Sequence, residues 1–221
     1  MTLGDKRLHI NLGCGIRFHQ DWENVDGGPM AWLSRLRALR VLNWALPRRC
    51  FQYPRNLRVT NLRKVPLPFA ADSAAVIFSG YCLEYLTPEE TQRLLRDCYR
   101  ILAPGGLIRL CQTDIETIVQ HYLANRPAQP GETALKAAAA FHELTAPASA
   151  TWANRFWRRG GVQHLFDKTK LIYMLGLAGF EDSRFYPSHA GVCPNLDAVE
   201  RPERPEARLL HVEARKPQGA G

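Results

Sequence analysis

The stretch "LHINLGCGIRFHQDWENVDGGP", residues 8–29, decides the fold. Apolar residues alternate across Leu8–Leu12 and run into a Gly-Cys-Gly sequence, which is typical of a β-strand that ends in a glycine-rich turn. A second short apolar segment ends at Asp26, eleven residues after Gly15. Backbone N–H groups of such a turn can approach a ligand closely, and a carboxylate after the second strand can accept both hydroxyls of a ribose.

This pairing of a glycine turn with a carboxylate serves nicotinamide, flavin and methyl-donor cofactors alike. The dinucleotide pattern G-x-G-x-x-G requires a third glycine, and Phe18 occupies that position here. The short span to Asp26 predicts a compact crossover, with a turn or two around residues 16–20, because parallel strands are usually joined by about a dozen residues or more. His19, inside this span, either lines the cofactor pocket or is an ordinary loop histidine.

The chain of 221 residues is long enough for one sizeable core, and we predict a single domain over residues 1–221 with a disordered tail at about 216–221. No apolar run is long enough to cross a bilayer, and the start of the sequence lacks a secretory apolar region. A cytoplasmic location is therefore expected. The six cysteines include no C-x-x-C pair, so we expect reduced, mostly buried thiols and no structural metal site.

The basic charge is concentrated in one segment. The formal net charge is +8, and nine Arg and Lys residues lie between Asp26 and Asp72, where acidic residues are absent. This field favours phosphates, anionic lipids or acidic substrates, although a solvated arginine-rich face explains it as well. Apolar residues at helical spacing across residues 30–46 predict a basic helical insertion at about 27–56, acting as a lid, a membrane-surface helix or a packed helix.

Strand and helix patterns alternate along the rest of the chain, which predicts an α/β fold with a parallel sheet. One helix begins at Thr87 and Pro88 and ends at the sequence Pro-Gly-Gly of residues 104–106. A long helical region over Ile115–Phe141 is broken at residues 126–131, and another helix covers Lys168–Ala178. The predicted strands are Leu8–Leu12, Glu23–Asp26, Leu57–Thr60, Ala75–Ser79, Leu107–Gln112, Ser183–Tyr186 and Leu209–Ala214, with a long surface loop before the last one.

The motifs "INLGCG", "WENVD", "LPFAADSAAVIFSGYCLEYL", "RILAPGGLIRL" and "AGFED" follow one another in this order. Together they resemble class I S-adenosylmethionine-dependent methyltransferases, most of all type 11-like bacterial proteins, several of which are linked to polysaccharide or lipid-linked sugar synthesis. The resemblance spans about residues 8–215. It implies a Rossmann-like sandwich, with a mostly parallel sheet and an antiparallel C-terminal strand, and S-adenosyl-L-methionine as cofactor.

The resemblance also implies roles for individual residues. The methionine end of the cofactor would lie at the glycine turn, the ribose at Asp26, and the adenine at the residues after the third strand, while the end of the fourth strand would flank the methyl donor. The implied cofactor residues are Gly13, Cys14, Gly15, Asp26, Asn61, Leu62, Ser79, Gly80 and Tyr81. Two features depart from the family: Asn61 replaces a common acidic residue, and Tyr81 and Tyr85 replace both histidines of an H-x-L-E-H motif.

Three residues are candidates for catalysis: Tyr81, Asp114 and His164. Tyr81 and Asp114, like Glu84, follow strands at the end of the sheet where ligands bind in α/β folds. Asp114 is equally well explained as a helix cap. His164, like His142, lies in a later segment that could cover the acceptor, but a lone histidine is more often structural.

These residues predict a methyltransferase that acts on a small molecule or on a sugar or glycan, by O- or N-methylation. The expected acceptor is lipid- or phosphate-linked or otherwise anionic. An RNA or tRNA methyltransferase is the first alternative, suggested by the basic charge. A second basic cluster with aromatic residues, at residues 152–159, could stack on a sugar or a nucleobase or simply be helix packing. A non-catalytic cofactor-binding partner protein is the other alternative, suggested by the two tyrosines.

Overall fold

The computed structural model describes residues 7–38, 51–129, 131–145, 162–201 and 209–219. Seven strands form one sheet in the order β3-β2-β1-β4-β5-β7-β6. Every neighbouring pair is parallel except the pairs of β7 with β5 and β6. The predicted mostly parallel sheet with an antiparallel C-terminal strand is therefore confirmed. The strands are β1 Leu8–Leu12, β2 Glu23–Asp26, β3 Leu57–Val59, β4 Ala74–Gly80, β5 Leu102–Thr113, β6 Glu181–Phe185 and β7 Leu209–Arg215.

Helices connect the strands. They are α1 Pro29–Ser34, α2 Pro88–Ile101, α3 Ile115–Asn125, α4 Glu132–Thr145, α5 Lys168–Leu177 and α6 Leu196–Val199, with 3₁₀ turns at Arg35–Ala38 and Leu83–Tyr85. The predicted break between α3 and α4 is confirmed. Among the described residues, no helix has the length and apolar character needed to cross a membrane.

Helix α2 begins at the predicted cap. The Thr87 hydroxyl accepts from the N–H of Glu90, and the Glu90 carboxylate accepts from the N–H of Thr87, which together form a capping box. The end of the helix differs from the prediction, because β5 begins immediately at Leu102 and contains the Pro-Gly-Gly sequence. The register jumps there, and Gly105 has a φ of 76°, so the sequence forms an irregularity inside the strand rather than a separate turn.

The connection from β1 to β2 is as compact as the sequence predicts. Residues 13–22 form turns without a helix, and the two strands pair in parallel with Leu12 beside Val25. A crossover of this length leaves no helix to cover the sheet beside β1 and β2.

One face of the sheet, which we call the helical face, packs against α2 and α5. Its strands contribute Ile10, Leu12, Ile77, Ile108 and Val212, and the helices contribute Leu94, Leu95, Leu171 and Leu175, all of which are almost completely buried. Removing this apolar surface from water is the main stabilising contribution of that face.

The opposite face, which we call the polar face, is covered by residues 187–201. Cys193, Leu196 and Val199 of this segment pack against Trp22 and Phe78. The sequence predicted a surface loop here because the segment is polar and rich in proline. That prediction is wrong for this part: the segment includes helix α6 and takes the place of the helix that the short β1–β2 crossover lacks.

Two predicted features lie outside the described residues in whole or in part. Helix α1 and the following 3₁₀ turn cover the start of the predicted basic insertion, and residues 39–50 belong to the part that is not described. The basic and aromatic cluster at residues 152–159 is also outside. At the other end, Lys216 pairs with the backbone of Gly105 and Gly106, so the chain is fixed through this residue.

Candidate functional site

The glycine turn after β1 is held by the strand beside it. The N–H groups of Gly13 and Cys14 both donate to the carbonyl of Val25, at 2.8 and 3.0 Å. The carboxylate of Asp26 then accepts from the N–H of Gly15 at 2.9 Å and from that of Gly28 at 2.6 Å. Asp26 therefore fixes the turns after both strands, and its oxygens lie at the carboxyl ends of the parallel strands.

The turn has the shape that a ligand cradle requires. Gly13 and Gly15 have φ values of 69° and 53°, a conformation that favours glycine. A Cβ on Gly13 would come within 2.7 Å of Cys82, whereas a Cβ on Gly15 would meet nothing within 4 Å. Gly13 is thus needed for packing against the loop after β4, and Gly15 borders open space.

Tyr81 follows β4 beside this turn. It has a φ of 54°, which is uncommon for a bulky residue and typical of functional sites, and its N–H donates to the carbonyl of Cys111 at 2.9 Å. The guanidinium of Arg201 lies 4.9 Å from the centre of its ring. Burial raises the pKa of Tyr81 to about 12, although Arg201 opposes the shift, so the phenol is protonated at neutral pH.

A cleft runs from the glycine turn along the upper part of the polar face. It is lined by residues from five separate places in the chain, among them Gly13, Arg17, Tyr81, Glu200, Arg201 and His211. Arg17 connects the glycine-turn side of the cleft to the side formed by the covering segment. Its Nη2 donates to the carbonyls of Asp197 and Glu200 at 2.8 Å each. The cleft therefore joins the turn expected to hold the cofactor to groups near the end of the chain.

A buried charge network forms the floor behind this cleft. Arg109, which is completely buried, donates to the carboxylate of Glu200 at 2.9 Å and to that of Glu213 at 3.2 Å. His211 is 3% exposed, and its Nε2 lies 2.7 Å from Oε1 of Glu200. Sequence analysis missed this network because its members come from β5, β7 and the covering segment, and only the pairing of these strands brings them together.

Comparisons with known proteins decide what this arrangement is. Residues 40–110 match a family model described as a methyltransferase domain. Across 97% of the chain, the fold matches 94% of an S-adenosylmethionine-dependent methyltransferase from Methanosarcina mazei, with 17% identity and a TM-score of 0.51. Together these matches support a class I S-adenosylmethionine-dependent methyltransferase, with S-adenosyl-L-methionine as the cofactor that the match implies.

Other solved structures also match this chain. All of the chain matches 86% of a chain from the complex between the Haloferax volcanii Trm112 methyltransferase activator and a methyltransferase, with 14% identity and a TM-score of 0.52. Some matched proteins are longer: 98% of the chain corresponds to half of the CurJ carbon methyltransferase, with 13% identity and a TM-score of 0.49. A search of curated proteins found no significant match to this sequence.

The residues expected at the adenine follow β3, on the side of Asp26 that faces away from the glycine turn. Leu62 is buried, whereas Asn61 is exposed and its side-chain oxygen accepts from the N–H of Arg63 at 3.0 Å. The turn after β3 packs tightly on the turn after β2, because a Cβ on Gly27 would lie 2.3 Å from the carbonyl of Thr60. The turn that carries both predicted residues therefore packs beside the turn after Asp26.

The residues expected at the methyl donor are divided between the two faces. Gly80 and Tyr81 line the cleft, together with Gly13 and Cys14. Ser79 instead pairs with Leu12 and Leu110, so its side chain points toward the helical face, where its hydroxyl is buried. The structure brings together most of the predicted cofactor residues, with Ser79 beneath them.

Asp114 and His164 have contacts of a structural kind. Asp114 caps α3: its carboxylate accepts from the N–H of Glu116 and from the hydroxyl of Thr117. His164 has both ring nitrogens in contact, with Thr91 at 3.1 Å and Lys170 at 2.8 Å. Burial, followed by the charge of Lys170, lowers the pKa of His164 to about 4.

Two other candidates from the sequence are placed as follows. Glu84 is buried beside the ends of β4 and β5, where it accepts from the N–H of Thr113 at 2.6 Å. Burial raises its pKa, although the bond from Thr113 opposes the shift. His19 lies in the compact crossover, and its Nδ1 accepts from the N–H of Asp21 at 3.2 Å, as a loop histidine does.

Proposed function

We propose that this methyltransferase methylates a small anionic acceptor, a metabolite or glycan that carries phosphate or carboxylate, at an oxygen or nitrogen atom. One observation carries the proposal: a cleft that begins at the glycine turn has the guanidinium of Arg201 at its side, stacked on Tyr81. Arginine on an aromatic ring remains charged and binds phosphate and carboxylate through paired hydrogen bonds.

The residues around the cleft have distinct tasks in this proposal. The cofactor supplies an electrophilic methyl group on a sulfonium. The turn at Gly13–Gly15 and the carboxylate of Asp26 would hold it, because Gly15 borders open space and Asp26 stands at the end of β2. The chain contributes mainly by positioning the two reactants, which lowers the barrier by removing the entropy of bringing them together.

Tyr81 orients the reactants in this proposal and does not remove a proton. Its phenol, with a pKa of about 12, is a neutral hydrogen-bond donor at pH 7. Asp114 and His164 act as positioning residues, since Asp114 fixes the start of α3 and His164 ties the segment before α5 to α2.

Cofactor binding is the first test. Calorimetry with S-adenosylhomocysteine should show binding to the purified protein, and Asp26→Ala should weaken it by about 10- to 100-fold, the value of one or two hydrogen bonds to a charged group. Asp21→Ala is the matched control, because Asp21 lies in the same crossover with a side chain that is 67% exposed. Absence of binding by the wild-type protein, or equal affinities of all three proteins, would disprove the proposal.

The acceptor class is the second test. Transfer of radioactive methyl groups would be measured on sugar phosphates, nucleotide sugars and uronic acids, together with their uncharged parent sugars. We expect transfer to the anionic members only, and a rise of 10-fold or more in the acceptor KM for Arg201→Gln. Arg93→Gln, on the exposed side of α2, should leave KM unchanged. Equal transfer to charged and uncharged sugars would contradict an anionic acceptor.

A nucleic acid is the second candidate acceptor, favoured by the net charge of +8 and by the nine basic residues between positions 35 and 64. Binding to tRNA that weakens steeply with salt, together with methylation of that tRNA, would support it over the small acceptor. Cofactor binding without transfer to any of these acceptors would support the non-catalytic partner protein.

A further inference from the structure

We propose that His211 and Glu200 form a proton-accepting pair at the cleft, and that the acceptor is accordingly a hydroxyl compound that loses a proton as it is methylated. This inference rests on the function proposed above and narrows it. His211 lies on β7 and Glu200 directly follows α6, so both belong to elements outside the glycine turn.

The distance between the pair suits proton exchange. Nε2 of His211 lies 2.7 Å from Oε1 of Glu200, and both side chains are almost completely buried. The N–H direction at Nε2 is not aligned with that oxygen, so Nε2 is a buried nitrogen without a regular hydrogen bond. Catalytic hydrogen bonds are often poorly aligned before substrates bind and tighten in the complex.

Glu200 is held as a carboxylate in a fixed position. Arg109 donates to both of its oxygens, at 3.2 and 2.9 Å, and the N–H of His189 points at Oε1. Burial acts to raise the pKa of Glu200, but the contacts with His211 and Arg109 outweigh it, and the pKa is lowered. A fixed carboxylate beside an imidazole orients the ring and stabilises the imidazolium that forms when the ring takes a proton.

A metal ion fits these residues less well. The thiol of Cys111 lies near the pair, and one potential ligand atom from each of the three residues falls within 4.8 Å of the others. Ligands about 2.05 Å from a tetrahedral zinc would be about 3.3 Å apart, well beyond the 2.7 Å observed between His211 and Glu200. The guanidinium of Arg109 on the same carboxylate also opposes a second cation.

The cleft gives the pair access to the reacting groups, because His211 and Glu200 line it together with Gly13, Gly80 and Tyr81. In the reaction, the acceptor oxygen bonds to the methyl carbon while the carbon–sulfur bond breaks and sulfur keeps the electron pair. The hydroxyl proton passes to Nδ1 of His211, and the imidazolium is stabilised through Nε2 by Glu200. The proton then leaves to solvent.

The tautomer of His211 tests the pair without any acceptor. Long-range proton–nitrogen spectra of ¹⁵N-labelled protein with S-adenosylhomocysteine, assigned with His211→Gln, should show the proton on Nε2 at pH 7.5. In Glu200→Gln, Arg109 retains the amide oxygen, so the NH₂ group faces the ring and the tautomer should change to Nδ1–H. A wild-type ring with its proton on Nδ1, or a ring unaffected by Glu200→Gln, would overturn the inference.

Transfer rates provide the second readout. With a hydroxyl acceptor from the panel, His211→Gln should lower kcat by 10²- to 10⁴-fold, with S-adenosylhomocysteine affinity within 3-fold of wild type. His121→Gln is the matched control, since this histidine is exposed on α3 and does not line the cleft. A kcat within 3-fold of wild type for His211→Gln would disprove the role.

The outcomes separate the two proposals. Failure of the wild-type protein to bind S-adenosylhomocysteine would be a failure of the proposed function. Normal binding combined with the wrong tautomer, or with an unchanged kcat in His211→Gln, would be a failure of the proton-accepting pair alone. One equivalent of zinc that is retained on purification and lost in Cys111→Ser would overturn the pair in favour of a metal site.

Discussion

The helical face of the sheet is covered by α2 and α5 with apolar side chains, whereas the polar face is covered by residues 187–201 and buries Arg109 between two carboxylates. The first arrangement comes from helices that lie close to strands in sequence, since α2 directly precedes β5 and α5 precedes β6. The second comes from a distant segment that covers the part of the sheet beside the short β1–β2 crossover. Both faces contain buried side chains, but among the described residues it is the polar face that contributes side chains to the cleft.

The two faces differ in what their buried side chains require, and therefore in which properties a substitution should change. Side chains on the helical face gain stability from burial and from close packing, which depend little on direction. Charged groups on the polar face must meet their partners at fixed distances, because an unpaired buried charge is strongly destabilising. We therefore expect changes on the helical face to affect unfolding alone, and changes on the polar face to affect unfolding and ligand binding together.

Removal of the central charge should have the largest effect. Arg109→Met leaves Glu200 and Glu213 buried without their cation and should lower the free energy of unfolding by about 3–5 kcal/mol, measured in urea. It should also weaken S-adenosylhomocysteine binding. Adding Glu200→Gln and Glu213→Gln to the same protein should restore more than half of the stability. A loss below about 1 kcal/mol for Arg109→Met would show that the network is not coupled.

A cavity on the helical face should have a slightly smaller effect. Leu95 in α2 is completely buried, and Leu95→Ala should cost about 3 kcal/mol by loss of apolar contact and by the cavity that remains. Calorimetry of the folded variant should give S-adenosylhomocysteine affinity within 2-fold of wild type, because the cleft lies on the opposite face. A loss of S-adenosylhomocysteine affinity as large as that in Arg109→Met would contradict the distinction between the faces.

Acid should weaken the two faces in different pH ranges. The pKa of His164, at the edge of the helical face, is about 4 in the folded protein and 6.5 normally, so its contribution is complete above pH 6.5 and is lost as the pH falls toward 4. The pKa of Glu200 is lowered below 4.5, so its contribution is lost only below about pH 4.5.

Urea unfolding at a series of pH values would measure these contributions. Between pH 6.5 and 4.5, the wild-type protein should lose on the order of 1 kcal/mol, a value that allows for the partial exposure of His164. His164→Gln should be almost insensitive to pH in that range, while Leu95→Ala, which removes no titratable group, should keep the wild-type slope. The same slope in all three proteins would mean that His164 is not the group that titrates.

Tyr81, where the polar face meets the glycine turn, should have the smallest effect. Tyr81→Phe removes one neutral hydrogen-bonding group, worth about 0.5–1.5 kcal/mol, and should lower kcat/KM by about 2- to 10-fold. The pH–rate profile should be unchanged, because a phenol with a pKa of about 12 does not titrate in the working range. A shifted profile would mean that Tyr81 itself exchanges a proton.

Local patterns predicted the strands, the cap of α2 and the glycine turn, because each depends on neighbours in sequence. They failed where distant pairing decides. The Pro-Gly-Gly sequence was expected to separate helix from strand, but Lys216, directly after β7, binds the backbone of Gly105 and Gly106 and so continues the pairing of the two strands. From the sequence alone, residues 187–201 have the composition of a solvent-exposed loop. Their burial depends on Arg109 and on the part of the sheet beside β1 and β2 that no crossover helix covers.

The polar groups of the site show the same limit. Asp26 could be predicted because a carboxylate after the second strand has one evident position. The pair of His211 and Glu200 could not, since β7 is antiparallel to β5 and the histidine faces the cleft only in that register. Asp114 and Glu84 occupy similar places in the sequence pattern, and only their contacts separate a helix cap from a buried acid.

The bond from Arg17 to the carbonyls of Asp197 and Glu200 has a consequence for the order in which the protein is made. The glycine turn leaves the ribosome long before these two acceptors, which lie 180 and 183 residues after Arg17 in the chain. The glycine-turn end of the cleft therefore remains unfinished until residues 197–200 have been synthesised. A ribosome that stalls after β6 leaves a chain with a completed helical layer and an open site.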